Sequence, residues 1–403
     1  MRWAFNRSDL LRCLDNLKST VGSKINNICD CVRISIIPKS TTEALVYIYG
    51  TNLSNFVCVR YGEILADGIE FELEKESHLL VDHEKLFKIC RASNLEKVVI
   101  IEIEQARYVN EGGVDKLANG AKYCIKTEAK NTIISRDVFE FPQEEFEGDV
   151  IAEYTSGLFP EMWRKASIAK GELDIKRTCL HYNGDMFTVD STFACIVESL
   201  SKLRFPKTYS INLESGIGEI IERMSGNVVV KKNPANNKIC FLDESNGIYI
   251  ACGLAVEQKI PYENALNKPY DSNFRVSKQL FESALKRAAI FINEKDISSV
   301  RLNVIKGVDR YILLVIVKPQ DNINSFEEEV ELESATGELN AMYKLKNLIK
   351  AITNNAETHI DFCWRTIDTG RMIDNTARII DQKTEYRCNA IVPSVVMVTQ
   401  QNG

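Results

Sequence analysis

The chain has 403 residues, 45% hydrophobic and 26% charged, with 20 Gly and 9 Pro, a soluble globular composition that excludes a disordered or fibrous protein. Its longest apolar run, Tyr311–Val317, is far shorter than a membrane span, and the opening MRWAFNRSDLL puts charge where a secretory signal needs an apolar stretch, so a cytoplasmic protein without membrane contact is expected. A net charge of −6 does not announce a nucleic-acid partner, but an average can hide segregated charge.

In chain order, Leu10, Leu14, Leu17 and Val21 fall at helical spacing behind Ser8, a candidate N-cap. Strands are predicted at Cys29–Ile37, Ala44–Tyr49 and Asn55–Tyr61, a helix over Asp82–Ala92, then strands at Lys97–Ile103 and Tyr123–Thr127. Leu158, Met162, Ala166 and Ala169 repeat the first helical pattern behind Ser156, and Asn183-Gly184-Asp185 reads as a turn. A helix over Ser215–Ser225 precedes strands at Val228–Lys232, Lys238–Leu242 and Ile248–Gly253, the last two joined by a turn at Asn246-Gly247. Leu280, Ala284, Leu285 and Ala288 then form a helical face behind Ser277, followed by strands at Val300–Ile305 and Tyr311–Lys318 and a helix over Tyr343–Thr353. Helix, strands, helix, strands thus recurs three times, in units of roughly 120–150 residues. The junctions fall at the proline-marked stretches Phe141–Phe146 and Ile260–Pro269, giving units 1–145, 146–268 and 269–403.

Charge sorts with these elements. Five of the six helical segments are basic, Leu213–Gly226 being the acidic exception; together they carry +8, which leaves −14 on the rest of the chain. Lys and Arg are good helix formers, but so is Glu, and Glu does not match them here. Helices sharing one face would make a phosphate-tracking surface that binds without reading sequence.

No catalytic or metal-binding constellation accompanies this. The twelve cysteines are scattered apart from Cys29 and Cys31, without CxxC, and the four histidines form no HxxxH, so buried thiols in a reducing compartment are expected rather than zinc or disulfides. There is no GxxxxGK[ST], GxSxG or HExxH. Gly216-x-Gly218 is too short for a dinucleotide fingerprint, Gly112-Gly113 reads as a turn, and Glu72–Glu76 and Glu327–Glu331 read as solvated faces. A non-enzymatic protein with no cofactor and no metal is expected.

The residues resemble one family, the bacterial DNA polymerase III beta subunit or sliding clamp, a processivity factor of DNA replication. Phe274–Leu302 (FRVSKQLFESALKRAAIFINEKDISSVRL) is similar to the opening of its third domain, with AAI-x-x-NEK followed by VRL after a spacer one residue longer. Gln258–Tyr262 resembles its G-R-F-P-D-Y linker, Leu79–Ala92 its second helix, Thr51-Asn52-Leu53 its T-D-L element and Ala390-Ile391-Val392-Pro393 its V-V-M-P ending. The resemblance spans nearly the whole chain in order, strongest in the third unit and weakest in the second. Chromosomal and divergent phage- or plasmid-type members are both left open.

The resemblance implies an α+β DNA-clamp fold: three similar domains, each with two helices and two antiparallel sheets, in a homodimer closed head to tail into a ring. Helices would line the hole and face duplex DNA, while polymerase and clamp-loader subunits would dock through short linear peptides. The DNA-facing candidates are Arg7, Arg12, Lys18, Lys24, Lys85, Lys88, Arg91, Arg164, Lys165, Lys170, Arg223, Lys278, Lys286, Arg287, Lys346 and Lys350. By position, the subunit seam falls at Tyr123 and Ile125 on one side and Ile290 and Phe291 on the other. The peptide pocket falls at Leu180, Asp190, Ser191, Thr192, Phe193, Ala194, Pro261, Leu266, Ala390, Val392 and Pro393. There the family's T-D-G-H-R-L has become Val189–Ala194 without His or Arg, and an extra tail, Ser394–Gly403, is placed to lie over the pocket. The alternative is a clamp-like interaction scaffold that does not encircle DNA.

Overall fold

The computed structural model describes residues 2–21, 27–40, 43–65, 76–111, 114–135, 141–142, 146–170, 179–190, 193–200, 205, 207–213, 216–234, 236–255, 266–292, 299–318, 325–368, 372–395 and 397–398. Among them are six α-helices: α1 (Arg7–Leu17), α2 (His83–Ala92), α3 (Leu158–Ala166), α4 (Ile217–Ile221), α5 (Lys278–Ala289) and α6 (Leu345–Asn354). Each answers to one of the six expected helical segments, and no helix among the described residues is long and apolar enough to cross a membrane.

The caps differ in detail from the sequence reading. Asn6, not Ser8, caps α1: its Oδ1 accepts from the amides of Ser8 at 3.0 Å and Asp9 at 3.2 Å. Asp82 caps α2, accepting from the Lys85 amide at 2.8 Å. The helix α4 is half its expected length because the Arg223 and Met224 amides reach back only three residues, to the Ile220 and Ile221 carbonyls, and the turn tightens. Gly216 ahead of it has φ +77°, and a Cβ there would lie 2.1 Å from the Ser19 carbonyl oxygen. Its glycine answers a close backbone approach, not a phosphate.

The chain forms two compact units, residues 1–160 with 214–254 and residues 161–213 with 255–403. The first holds a four-stranded sheet in the order Arg2–Asn6, Lys97–Glu104, Lys122–Lys126, Lys130–Ile134. It also holds an eight-stranded sheet in the order Asp149–Tyr154, Val228–Lys232, Lys238–Asp243, Ile248–Gly253, Asn55–Leu65, Glu43–Thr51, Cys31–Pro38, Ser77–Asp82. The second holds a ten-stranded sheet, which includes Cys179–Tyr182, Met186–Asp190, Phe193–Ser199, Tyr386–Val392, Met372–Gln382, His359–Asp368 and Ser272–Ser277, and a five-stranded sheet running from Phe326–Glu331 to Ser394–Val395. The pairings that build them are antiparallel, as hairpin-forming sequence requires.

The two pairings that join the most distant segments are Ile248–Gly253 along Asn55–Leu65, with Tyr249 opposite Cys58, and Phe193–Ser199 along Tyr386–Val392, with Ala194 opposite Ile391. The long sheets therefore run on past the proline-marked junctions, and the compact units are drawn by sheet continuity. Within each unit the first helix of a pair touches strands of both sheets, α1 in the first and α5 in the second. Phe281 of α5 lies edge-on to Phe274 and Phe362, whose rings stack 4.6 Å apart, and all three are fully buried or nearly so. Eleven of the twelve cysteines are buried and Cys363 is half-buried, all as free thiols. Burial pushes the Cys13 and Cys90 thiols up to about 12, which makes them apolar fillers.

Candidate nucleic-acid interface

The basic helix residues fall into three groups. Lys18, Arg91, Arg164 and Lys346 are exposed and have no acidic partner among the described residues. Arg12, Lys85, Lys88 and Lys286 are exposed but sit beside a carboxylate of their own turn, Asp9, Asp82, Glu84 and Glu282 respectively, and Arg287 is gripped by Glu328 of the neighbouring strand. Exposed pairs of this kind are weak enough to exchange for phosphate. Lys170 is half-exposed, and Lys24 lies outside the described residues.

The third group closes helices instead. Arg7 Nη1 donates to the Ser93 carbonyl at 2.8 Å at the end of α2, and Lys278 Nζ donates to the Asn355 carbonyl at 2.5 Å and the Thr353 carbonyl at 3.3 Å at the end of α6. Between them in sequence, Ser156 Oγ donates to the Ser225 carbonyl at 2.5 Å, beyond α4. The first residue of α1 thus reaches the carbonyl that ends α2, and the first residue of α5 those that end α6, once in each unit. Arg223 spans from α4 to Asn16 Oδ1 at 2.7 Å and Asp15 at 3.2 Å. Lys350 points to the Ile168 carbonyl at 3.5 Å.

Lys165 is a correction. Its side chain is 4% exposed and its ammonium is shared between Asp381, 4% exposed, and the Asn354 carbonyl at 2.7 Å. A cation so enclosed cannot reach a phosphate. The helical spacing of Leu158, Met162, Ala166 and Ala169 places Lys165 next to the buried stripe, which was the available signal.

His83 fastens α2 to α1 by an Nε2 contact of 2.8 Å to the Leu14 carbonyl, and burial holds its pKa below the ordinary value of 6.5 despite the opposing charges of Asp82 and Glu84. A lowered imidazole pKa means the unfolded chain takes up the proton first, so stability is full above about pH 6.5 and falls as pH drops towards the folded value. Urea unfolding of wild type and His83→Gln between pH 8 and 5.5 should show wild type losing up to about 1.4 kcal/mol per pH unit in that window relative to the variant. Parallel pH curves would contradict this role.

At the expected seam, Tyr123 is 3% exposed and Ile125 fully buried, on a strand with neighbours on both sides. That corrects their assignment: the strand beside them, Lys130–Ile134, is an edge of the four-stranded sheet, and its Ile134 is 63% exposed. Ile290 is 79% exposed, and Phe291 lies beside Phe326 with ring centroids 5.3 Å apart. Phe326 opens the edge strand Phe326–Glu331 of the five-stranded sheet. The sequence order of strands does not reveal which one ends a sheet, so Ile134 and Phe326 escaped the sequence reading.

Of the pocket residues, Ala194 and Leu266 pack with Val189 and Tyr270 against Phe187, Ile196 and Ile391. Arg378 lies over the Tyr270 ring at 5.6 Å and donates to the Asn389 side chain at 2.9 Å. Leu180, Ala390 and Val392 are buried on the opposite face of the sheet. Cys195, opposite Ala390, donates its thiol to the Lys165 carbonyl, and His181 beside Leu180 stacks on Phe187 of the outer cluster. The pleat thus sets Leu180, Ala390 and Val392 on the face away from the Ala194–Ile391 cluster. Phe193, 2% exposed, shares their parity, and Pro393 is half-buried; Ser191, Thr192, Pro261 and the Asp190 side chain lie outside the described residues. Ser394–Val395 of the tail pairs with Asn340–Lys344, and Met397–Val398 pairs with Met372–Ile373, so the described part of the tail joins the two sheets of the second unit.

Paired helices between a long and a short antiparallel sheet define the DNA-clamp fold. Solved structures share it over almost every residue: a DNA polymerase III subunit beta from Pseudomonas aeruginosa covers 98% of this chain with 100% of its own, at TM-score 0.75 and 17% identity. The beta subunit from Streptococcus pyogenes DNA polymerase gives 0.77 at 14% identity, again over 98% and 100%, and the sliding clamp of Bacillus subtilis 0.76 at 15% over 98% and 99%. No family model and no curated protein matches the sequence. The fold is thus the one the sequence resemblance implied, shared with these structures at low identity.

Proposed function

We propose that this chain is a sliding clamp: a non-enzymatic, cytoplasmic homodimer of three clamp domains per subunit that encircles duplex DNA and tethers a polymerase. The observation that carries this reading is the clamp fold over 98% of the chain. The helix closure at Ser93, repeated at Asn355, supports an internal repeat within it. Lys18, Arg91, Arg164 and Lys346 supply the phosphate contacts; being few and solvated, they favour sliding over fixed binding. The Ala194–Leu266–Tyr270–Ile391 surface receives the linear peptides of polymerase and loader.

Closure joins the edge Lys130–Ile134 of one subunit to the edge Phe326–Glu331 of the next. One edge brings Ile134 and Lys130, the other Phe326 with Phe291, Ile290 and the row Glu327–Glu329, so apolar residues and charge are complementary across a heterologous contact. Ile290→Asp should weaken the dimer by about 30-fold or more, the ~2 kcal/mol of a central interface residue. Sedimentation velocity reads the equilibrium and negative-stain imaging the shape: wild type should give closed rings with a central hole. Discrete crescents at every concentration, unaltered by Ile290→Asp, would leave the non-encircling scaffold as the reading.

A further inference from the structure

The eight-stranded sheet of the first unit carries a cleft that the clamp reading does not use. One cross-strand row runs Arg33, Tyr49, Cys58, Tyr249, Leu242, each opposite the next in register. Tyr47 and Phe146 join it to line a cleft of about 590 Å³, rimmed by the exposed carboxylates of Glu76, Glu147 and Glu244.

Arg33 is the anomaly. It is 8% exposed, its guanidinium lies 4.5 Å above the Tyr49 ring and 5.3 Å from the Phe141 ring, and its Nε is buried without a hydrogen-bond partner. No carboxylate among the described residues pairs with it, and its guanidinium lies against the faces of Tyr49 and Phe141. A buried cation is costly, and an oxygen acceptor that reaches its guanidinium from the cleft lowers that cost. The rim states the rest of the requirement: three carboxylates around tyrosine faces favour a cationic side chain and resist an acidic one.

We infer that this cleft is a docking site for a short protein segment that places a large apolar side chain on Tyr49 and Tyr249. A main-chain carbonyl of the segment meets the part of the Arg33 guanidinium that lines the cleft, and an adjacent Lys or Arg meets Glu147 and Glu244. The site lies wholly within the first unit and needs neither ring closure nor DNA, so it stands or falls apart from the clamp reading.

The test is to pan a displayed random heptapeptide library against the full chain, then measure enriched synthetic peptides by fluorescence anisotropy. The measurement compares wild type, Arg33→Met and the double variant Glu147→Lys/Glu244→Lys, whose two positions are exposed and leave the fold alone. Peptides combining an aromatic or leucine with Lys or Arg, weakened at least 10-fold by both variants and untouched by Leu266→Ser in the second unit, are the expected result. Enrichment only of peptides indifferent to both variants, or of acidic peptides that bind the double variant more tightly, would overturn the inference.

Discussion

Replacing Lys165 by Met should destabilise the second unit by about 3–5 kcal/mol, the cost of stripping one partner from a buried ion pair. Asp381 would keep only the Ala356 amide, at 3.1 Å, on one oxygen, while its other oxygen is already buried without a partner. The Asn354 carbonyl would lose its donor as well. Lys165→Met/Asp381→Leu should recover most of the loss, because an apolar pair of similar volume removes both desolvation costs. Urea unfolding measures all three proteins. A loss under about 1 kcal/mol for the single variant would show that the pair does not hold α3 to the end of α6. The folded fraction of Lys165→Met should bind DNA as wild type does, which separates this lysine from its exposed neighbours.

The second large effect belongs to those neighbours. Neutralising Arg91, Arg164 and Lys346 together by Gln should lower DNA affinity and flatten its salt dependence by as much as about three in the log–log slope per subunit, one for each phosphate that no longer meets a cation. All three are exposed and outside the helix closures, so unfolding curves should stay within about 0.5 kcal/mol of wild type. Competition binding from low to moderate salt reads both quantities. An unchanged slope would place the phosphate-binding cations elsewhere or nowhere.

Much of the fold was legible because its signals are local. Six helical patterns and ten apolar strands need only periodicity, and Val228–Lys232 and Ile248–Gly253 match their predicted limits to the residue. What stayed hidden depends on long-range pairing. Nothing near Tyr123 tells that Lys130–Ile134 takes the edge, and nothing near Ala390 tells which face of the sheet it occupies once Ala194 stands opposite Ile391. Charge counting found the basic helices but treated every Lys and Arg alike. It could not separate Arg91, exposed to solvent, from Lys278, which closes α6, or from Lys165, whose partner is 216 residues away. The Arg33 cleft had no sequence signal, since its row draws on five strands that only the register aligns.

The most direct measurement of the central claim is retention on DNA whose ends can be opened or closed. Concentrated protein is incubated with linear duplex so that rings can thread, both ends are then blocked with a bulky protein, and retention is measured in high salt. Encirclement predicts that protein stays on the blocked duplex and is lost when a restriction cut frees an end, with Ile290→Asp never retained. Retention that ignores the ends, or disappears with salt on blocked and open duplex alike, would show that the protein binds DNA only from outside and would contradict the clamp reading.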